Sequence, residues 1–194
     1  MRIPVLSVLP ALPAARWMLA VMALALVAGC ALPARHAETT PRAHGVPAGM
    51  VSVTYADPAG FAEAREQTPH EPAAARRAWM DALCEHLAER VAAALPEGER
   101  AEVHITDVRR AGAFEPAAGG TAQAVRVVRD VHPPRIALEF KRLSPDGRTL
   151  AEGSRTLPGL AFQMRGDRYP GDKLRHEKTL IDDWVAQEFS ARRP

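Results

Sequence analysis

Read for period alone, the apolar positions of this chain switch between steps of two and steps of about four. Val51, Val53 and Tyr55 alternate with Ser52 and Thr54, which predicts a half-buried strand. Asp57-Pro58 and Gly60 break it. Further on, Trp79, Leu83, Leu87, Val91 and Leu95 recur every four residues with Ala82 and Ala94 beside them, one apolar stripe of a helix over residues 72–95. Pro72 suits its first turn, where a missing N–H costs nothing, and Pro96 and Gly98 end it. Val103 and Ile105 alternate with Glu102, His104 and Thr106 in a second strand, "AEVHITDV". Residues 109–120 are rich in Gly and Ala and read as a loop, and "AVRVVRDV" reads as a shorter strand. Ile136, Leu138 and Phe140 set the clearest strand, and "SPDG" is a turn whose Pro is pre-set for the bend and whose Gly is free to take positive φ. "RTLAEGSRTL" returns as its hairpin partner, with Gly153 marking a bulge. A last helix over residues 173–191 gathers Leu174, Leu180, Ile181, Trp184 and Val185 on one side, with Asp172 as N-cap.

The predicted order is strand, helix, strand, strand, hairpin, helix. Two amphipathic helices can cover one face of a sheet, so the expected fold is α+β in two layers, with a mixed sheet of four to five strands. The ordered part, residues 51–191, is long enough for one real core.

The first thirty residues follow another logic. "WMLAVMALALVA" is a continuous apolar run of about a dozen residues behind Arg2 and Arg16, short of the roughly 20 that span a bilayer. A basic flank, a short apolar core and small residues at its end mark a secretory signal peptide, here residues 1–29. Val27-Ala28-Gly29-Cys30 resembles the lipobox of bacterial lipoproteins. That resemblance implies a diacylglycerol on the Cys30 sulfur, cleavage before Cys30, and acylation of the new amine, palmitate being a typical chain. Each buried methylene adds about 0.8 kcal/mol to membrane attachment. Ala31 is not the aspartate that holds enteric lipoproteins at the inner membrane, so the expected address is the periplasmic face of the outer membrane. Residues 30–50, with three prolines and no apolar period, read as a lipidated cysteine and a flexible tether.

This cleavage changes the charge picture. The whole chain carries a formal +2, but removing Arg2 and Arg16 from its 25 basic residues leaves 23 against 23 acidic. A near-neutral mature chain argues against a nucleic-acid partner. With Cys30 lipidated, no second cysteine is left for an intrachain disulfide, and Cys84 reads as a small core residue.

Taken together, "TDVRRAG", "RVVRDVHPPRIALEF", a hairpin ending near "GLAF", and "LRHEKTLIDDWVAQEF" resemble the bacterial family known as domain of unknown function 3016, over residues 51–189. The matching positions are Thr106, Asp107, Ala111, Gly112, Arg126, Arg129, Asp130, Pro134, Arg135, Glu177, Lys178, Asp183 and Trp184. His132 stands where an aromatic residue, often tyrosine, is usual, which argues against a family-wide metal role there. The resemblance implies an exported or lipid-anchored envelope protein and carries no established activity.

Candidate chemistry stays thin. No G-x-S-x-G elbow, Cys–His pairing or phosphate loop is present. His104, Asp107, Asp130 and His132 lie at strand ends and offer nitrogen and oxygen ligands, but in no known metal spacing, and a regular strand sends His104 and Asp107 to opposite faces. Glu177 and Asp183 are six apart, so they are not helical neighbours. Asp107, Arg126, Arg129, Asp130, Arg135 and Glu177 form a polar cluster, read first as structural ion pairs that fix loops and second as a patch for an anionic group. Two function classes remain. One is a non-catalytic adaptor or binding module for an envelope protein or cell-wall component, with no cofactor. The other is a periplasmic hydrolase or metal-binding protein using Asp107, Asp130 and His132.

Overall fold

The computed structural model describes residues 50–67, 71–116 and 124–189. The signal peptide, Cys30 and residues 31–49 of the tether lie outside them, as do residues 117–120 of the expected loop and the last residues of the expected terminal helix. The fold is the expected mixture of helices and a mixed sheet. Strands β1 (Val51–Tyr55), β2 (Arg100–Arg109), β5 (Arg135–Leu143) and β6 (Thr149–Pro158) form a four-stranded sheet in the order β1-β2-β5-β6. β1 runs parallel to β2, and the other neighbours are antiparallel. Between β1 and β2 come a short helix α1 (Ala62–Glu66) and the long helix α2 (Ala73–Ala94), and the order closes with α3 (Arg175–Phe189).

One face of the sheet is covered. Val53, Tyr55, Val103, Ile105, Ile136, Leu138 and Phe140 meet Leu83, Leu87 and Val91 of α2 and Ile181, Trp184 and Val185 of α3 in one core. Each such fully buried side chain contributes about 1.5–3 kcal/mol. Cys84 is buried here, as expected. Phe140, Trp184 and Phe189 add edge-on and tilted aromatic contacts. The helical stripe is wider than steps of four suggest: Met80, Cys84 and Ala88 are also buried.

Three local readings are corrected. The stretch 109–120 is not all loop: β3 (Ala113–Pro116) pairs with β4 (Ala124–Val127) in a separate two-stranded sheet, so β4 does not join the main one. Gly112 makes the entry to this hairpin possible. Its φ is +80°, and a Cβ there would sit 2.3 Å from the Val127 carbonyl oxygen. Gly153 does not mark a bulge. It pairs in register with Phe140, and the irregularity lies at Arg142/Leu143. The guanidinium of Arg155 lies 5.0 Å above the Phe140 ring, in the space a side chain at Gly153 would contest. β2 does carry a bulge, between Ile105 and Asp107. Val103 and Ile105 are buried before it and Val108 after it, so the inward positions change from odd to even numbers.

Asp172 caps the turn that leads into α3, accepting from the Leu174 N–H at 2.7 Å. The "SPDG" turn forms as expected, with Gly147 at φ +87° donating to the Ser144 carbonyl. No helix among the described residues is long and apolar enough to cross a membrane.

Candidate functional site

The bulge in β2 decides which motif residues meet. It turns Arg110 inward, and the short helix α1 offers Glu63 to receive it. Glu63 is 3% exposed and accepts four donors: the Arg110 backbone N–H at 2.9 Å, Arg110 Nε at 3.1 Å and Nη2 at 2.8 Å, and Arg126 Nη2. Arg110 also binds Glu71 at 2.8 Å and lies 4.5 Å above the Trp79 ring, whose N–H donates to the same Glu71 at 2.7 Å. Arg126 reaches the carbonyls of Ala111 and Gly112 and covers Phe114 at 4.6 Å. Two arginines and two carboxylates thus neutralise one another in a buried bracket that ties α1, the end of β2 and the β3–β4 hairpin together. Gln67 completes it by accepting from the Phe114 N–H.

Glu177 enters this bracket from the first turn of α3. Its Oε1 accepts from the Ala111 N–H at 2.6 Å, while its Oε2 is buried with no hydrogen-bond partner. Burial pushes its carboxyl above the ordinary range, against the pull of the Ala111 N–H, Arg110 and Arg126.

The other predicted residues separate from this centre. Asp107 accepts from the Ala62 N–H and from Arg135 Nη2, both at 2.7 Å, and so caps α1 and holds β5. Arg129 pairs with Glu115 at the surface. Asp130 and His132 sit exposed on the turn before β5, whose backbone supplies the useful contact: the His132 carbonyl accepts from Gly112. His104 hydrogen-bonds Thr54 across β1 and β2. By register the bulge puts Asp107 on the same outer face as His104, not the opposite one. Among the described residues no group of three or more His, Cys, Asp or Glu could hold a metal ion.

Glu63, Glu71 and Arg110 were not legible as site residues. Their bonds to one another span 39 to 47 positions, and only Arg110, one step past the end of β2, belongs to a motif. A second buried centre was missed for the same reason. His86 of α2 lies 3.0 Å from Asp182 of α3, which also accepts from Tyr169 at 2.6 Å and pairs with Arg90 at 3.0 Å. Burial lowers the affinity of His86 for its proton, and burial with the Asp182 bond pushes Tyr169 up to about 12. This tie joins the two helices and the loop before α3.

The uncovered face of the sheet is polar. Cross-strand rows Ser52–Glu102–Lys141–Glu152 and Thr54–His104–Glu139–Ser154 line an open concavity of about 580 Å3.

The model of the family described as Protein of unknown function (DUF3016) matches residues 49–187, and the chain belongs to that family. No curated protein matches the chain.

Proposed function

We propose that this family member is a lipid-anchored protein of the bacterial cell envelope, acting as a non-catalytic adaptor or binding module in the periplasm, on the outer membrane. The observation that carries the non-catalytic reading is the saturation of the buried polar cluster around Glu63. Arg110, Arg126 and Glu63 close on one another, and Asp107 closes on Arg135 and α1. Side chains held this way fix a fold and offer no unengaged acid, base or nucleophile. The address rests on Val27-Ala28-Gly29-Cys30 behind its apolar run.

Crosslinking with mass spectrometry in native membranes tests both parts. The expected result is a lipid-modified Cys30 and a reproducible envelope partner. Cys30→Ser should lose lipid labelling and persist as a precursor. Normal cleavage and release of that variant would overturn the anchor. Hydrolysis of an envelope substrate, lost on removing Asp107 or Asp130, would overturn the non-catalytic role.

A further inference from the structure

We propose that the free edge of β6 binds an extended segment of a partner protein, which adds to the four-stranded sheet as a further strand and sets a basic residue opposite Glu152. β6 ends the strand order β1-β2-β5-β6 and is 10 residues long, so one whole side of it has no neighbouring strand. Such an edge presents a row of N–H and C=O groups, which an extended peptide takes up in main-chain hydrogen bonds.

The register fixes which groups face outward. Gly159 donates its N–H to the Pro134 carbonyl, one step beyond the Arg135–Pro158 pair. Hydrogen-bonded and non-hydrogen-bonded pairs alternate along an antiparallel ladder. Leu157, Arg155 and Gly153 therefore bond β5, while Thr156, Ser154 and Glu152 turn their main-chain groups away from it. Among the described residues no other main-chain group pairs with these three. Pro158 belongs to the same outward series, and its nitrogen, with no proton to give, faces the free side. Arg155 Nη1 takes the Ser154 carbonyl at 3.0 Å, which leaves the Ser154 N–H and both groups of Glu152 and Thr156. Pro158 bounds this window at one end and the irregularity at Arg142/Leu143 at the other.

Charge then selects the partner. The row Ser52–Glu102–Lys141–Glu152 crosses the outer face, and Lys141 Nζ lies 3.6 Å from Glu152. Its signs alternate from β2 to β6 and it stops on a carboxylate, so a strand added beside β6 calls for a cation at that level. The row beside it contributes Glu139, so the carboxylates of the two rows outnumber their lysine. On the inner side of β6, Arg155 is held by Glu188 at 2.9 and 3.2 Å and needs no counter-charge. A second copy of this chain does not fit. Pairing two β6 strands edge to edge sets outer-face residues against outer-face residues, and the one basic residue of β6, Arg155, lies on the inner side over Phe140. The occupant is a different protein with a basic, extended segment.

The inference rests on the binding-module reading and not on the lipid anchor. Hydrogen exchange and calorimetry on the full chain in detergent micelles test it with blocked peptides. The first is Thr-Val-Thr-Val-Lys-Val-Thr. A second has Glu in place of Lys. A third carries N-methyl groups on Lys and on the central Thr, which removes main-chain donors and keeps every side chain. The Lys peptide should slow exchange at the Glu152, Ser154 and Thr156 amides roughly tenfold at saturation, with Gly153 and Arg155, already bonded to β5, unchanged. It should bind roughly tenfold more tightly than either other peptide. Glu152→Lys should reverse the preference between the Lys and Glu peptides. Ser154→Pro removes an outward donor and no bond to β5, and should lose the peptide. No binding of the Lys peptide at millimolar concentration overturns the proposal, as does equal binding of the N-methylated peptide, protection confined to other strands, or a preference that Glu152→Lys leaves unchanged. Slow exchange at the same amides without peptide, deepening as protein concentration rises, overturns it in favour of a second copy. Each such failure removes the β6 edge alone, since a partner crosslinked through another surface would keep the binding-module reading.

Discussion

Around Glu63, charged side chains from α1, β2 and β4 close on one another. Around His176, a ring nitrogen is buried without a partner and the neighbouring arginine has no counter-charge among the described residues. Both regions contain arginine, and both touch the first turn of α3. They differ in how far the fold itself satisfies the polar groups, Glu177 Oε2 being the exception in the bracket. A satisfied buried charge holds elements in place, because removing one partner strands the other in a medium of low polarity. An unsatisfied one raises the energy of the native state.

Substitutions sharpen that contrast, and the strongest falls in the bracket. Glu63→Ala should cost about 3–5 kcal/mol in a urea unfolding curve, since it strands Arg110 and Arg126 together. A loss below about 1 kcal/mol would mean the bracket is not a structural centre. Next comes Gly112→Ala. The added methyl meets the Val127 carbonyl and the backbone must hold positive φ, so a loss above about 2 kcal/mol is expected in thermal melts.

Glu177 gives a pH signature. Its folded carboxyl titrates above the unfolded one, so the native state holds the extra proton between the two values. Stability therefore falls as pH rises from the ordinary carboxylate range through the folded value, by up to about 1.4 kcal/mol per pH unit, and is flat on either side. Glu177→Gln should flatten that fall in unfolding curves taken from pH 4 to pH 8. An unchanged slope would assign the effect to another group.

Around His176 the expected stability changes are small. Ala161→Gly should relieve the left-handed backbone and gain no more than about 1 kcal/mol, the freer unfolded chain taking back part of it. Arg175→Ala should stay within about 0.5 kcal/mol of the native chain. A large loss in either variant would make this region a second bracket and erase the contrast.

The architecture was legible wherever a period ran long enough. The stripe from Trp79 to Leu95 and the alternation from Ile136 to Phe140 located a helix and a central strand within a residue or two. The β3–β4 hairpin was not legible, because its strands are four residues each and are held by a close approach at Gly112 that no periodicity records. The cluster was half legible. Arg126 and Glu177 do converge, yet Arg129 and Asp130 do not, and the centre belongs to Glu63, which sits in a five-residue helix far away in sequence. One extra residue in β2 hid the rest, by reversing which side of the strand Val108 and Arg110 take.

The parallel pairing of β1 with β2 has a geometric corollary. The chain enters the sheet at Val51, level with Ala101, whereas β6 leaves it at Pro158, across β5 from Arg109. Seven strand steps of β5 separate those levels, about 23 Å. The loop bearing Leu160 and Met164 therefore stands at the end of the sheet opposite Val51. Whatever grips the chain just ahead of Val51 meets one rim of the sheet, and these two exposed side chains stand at the other.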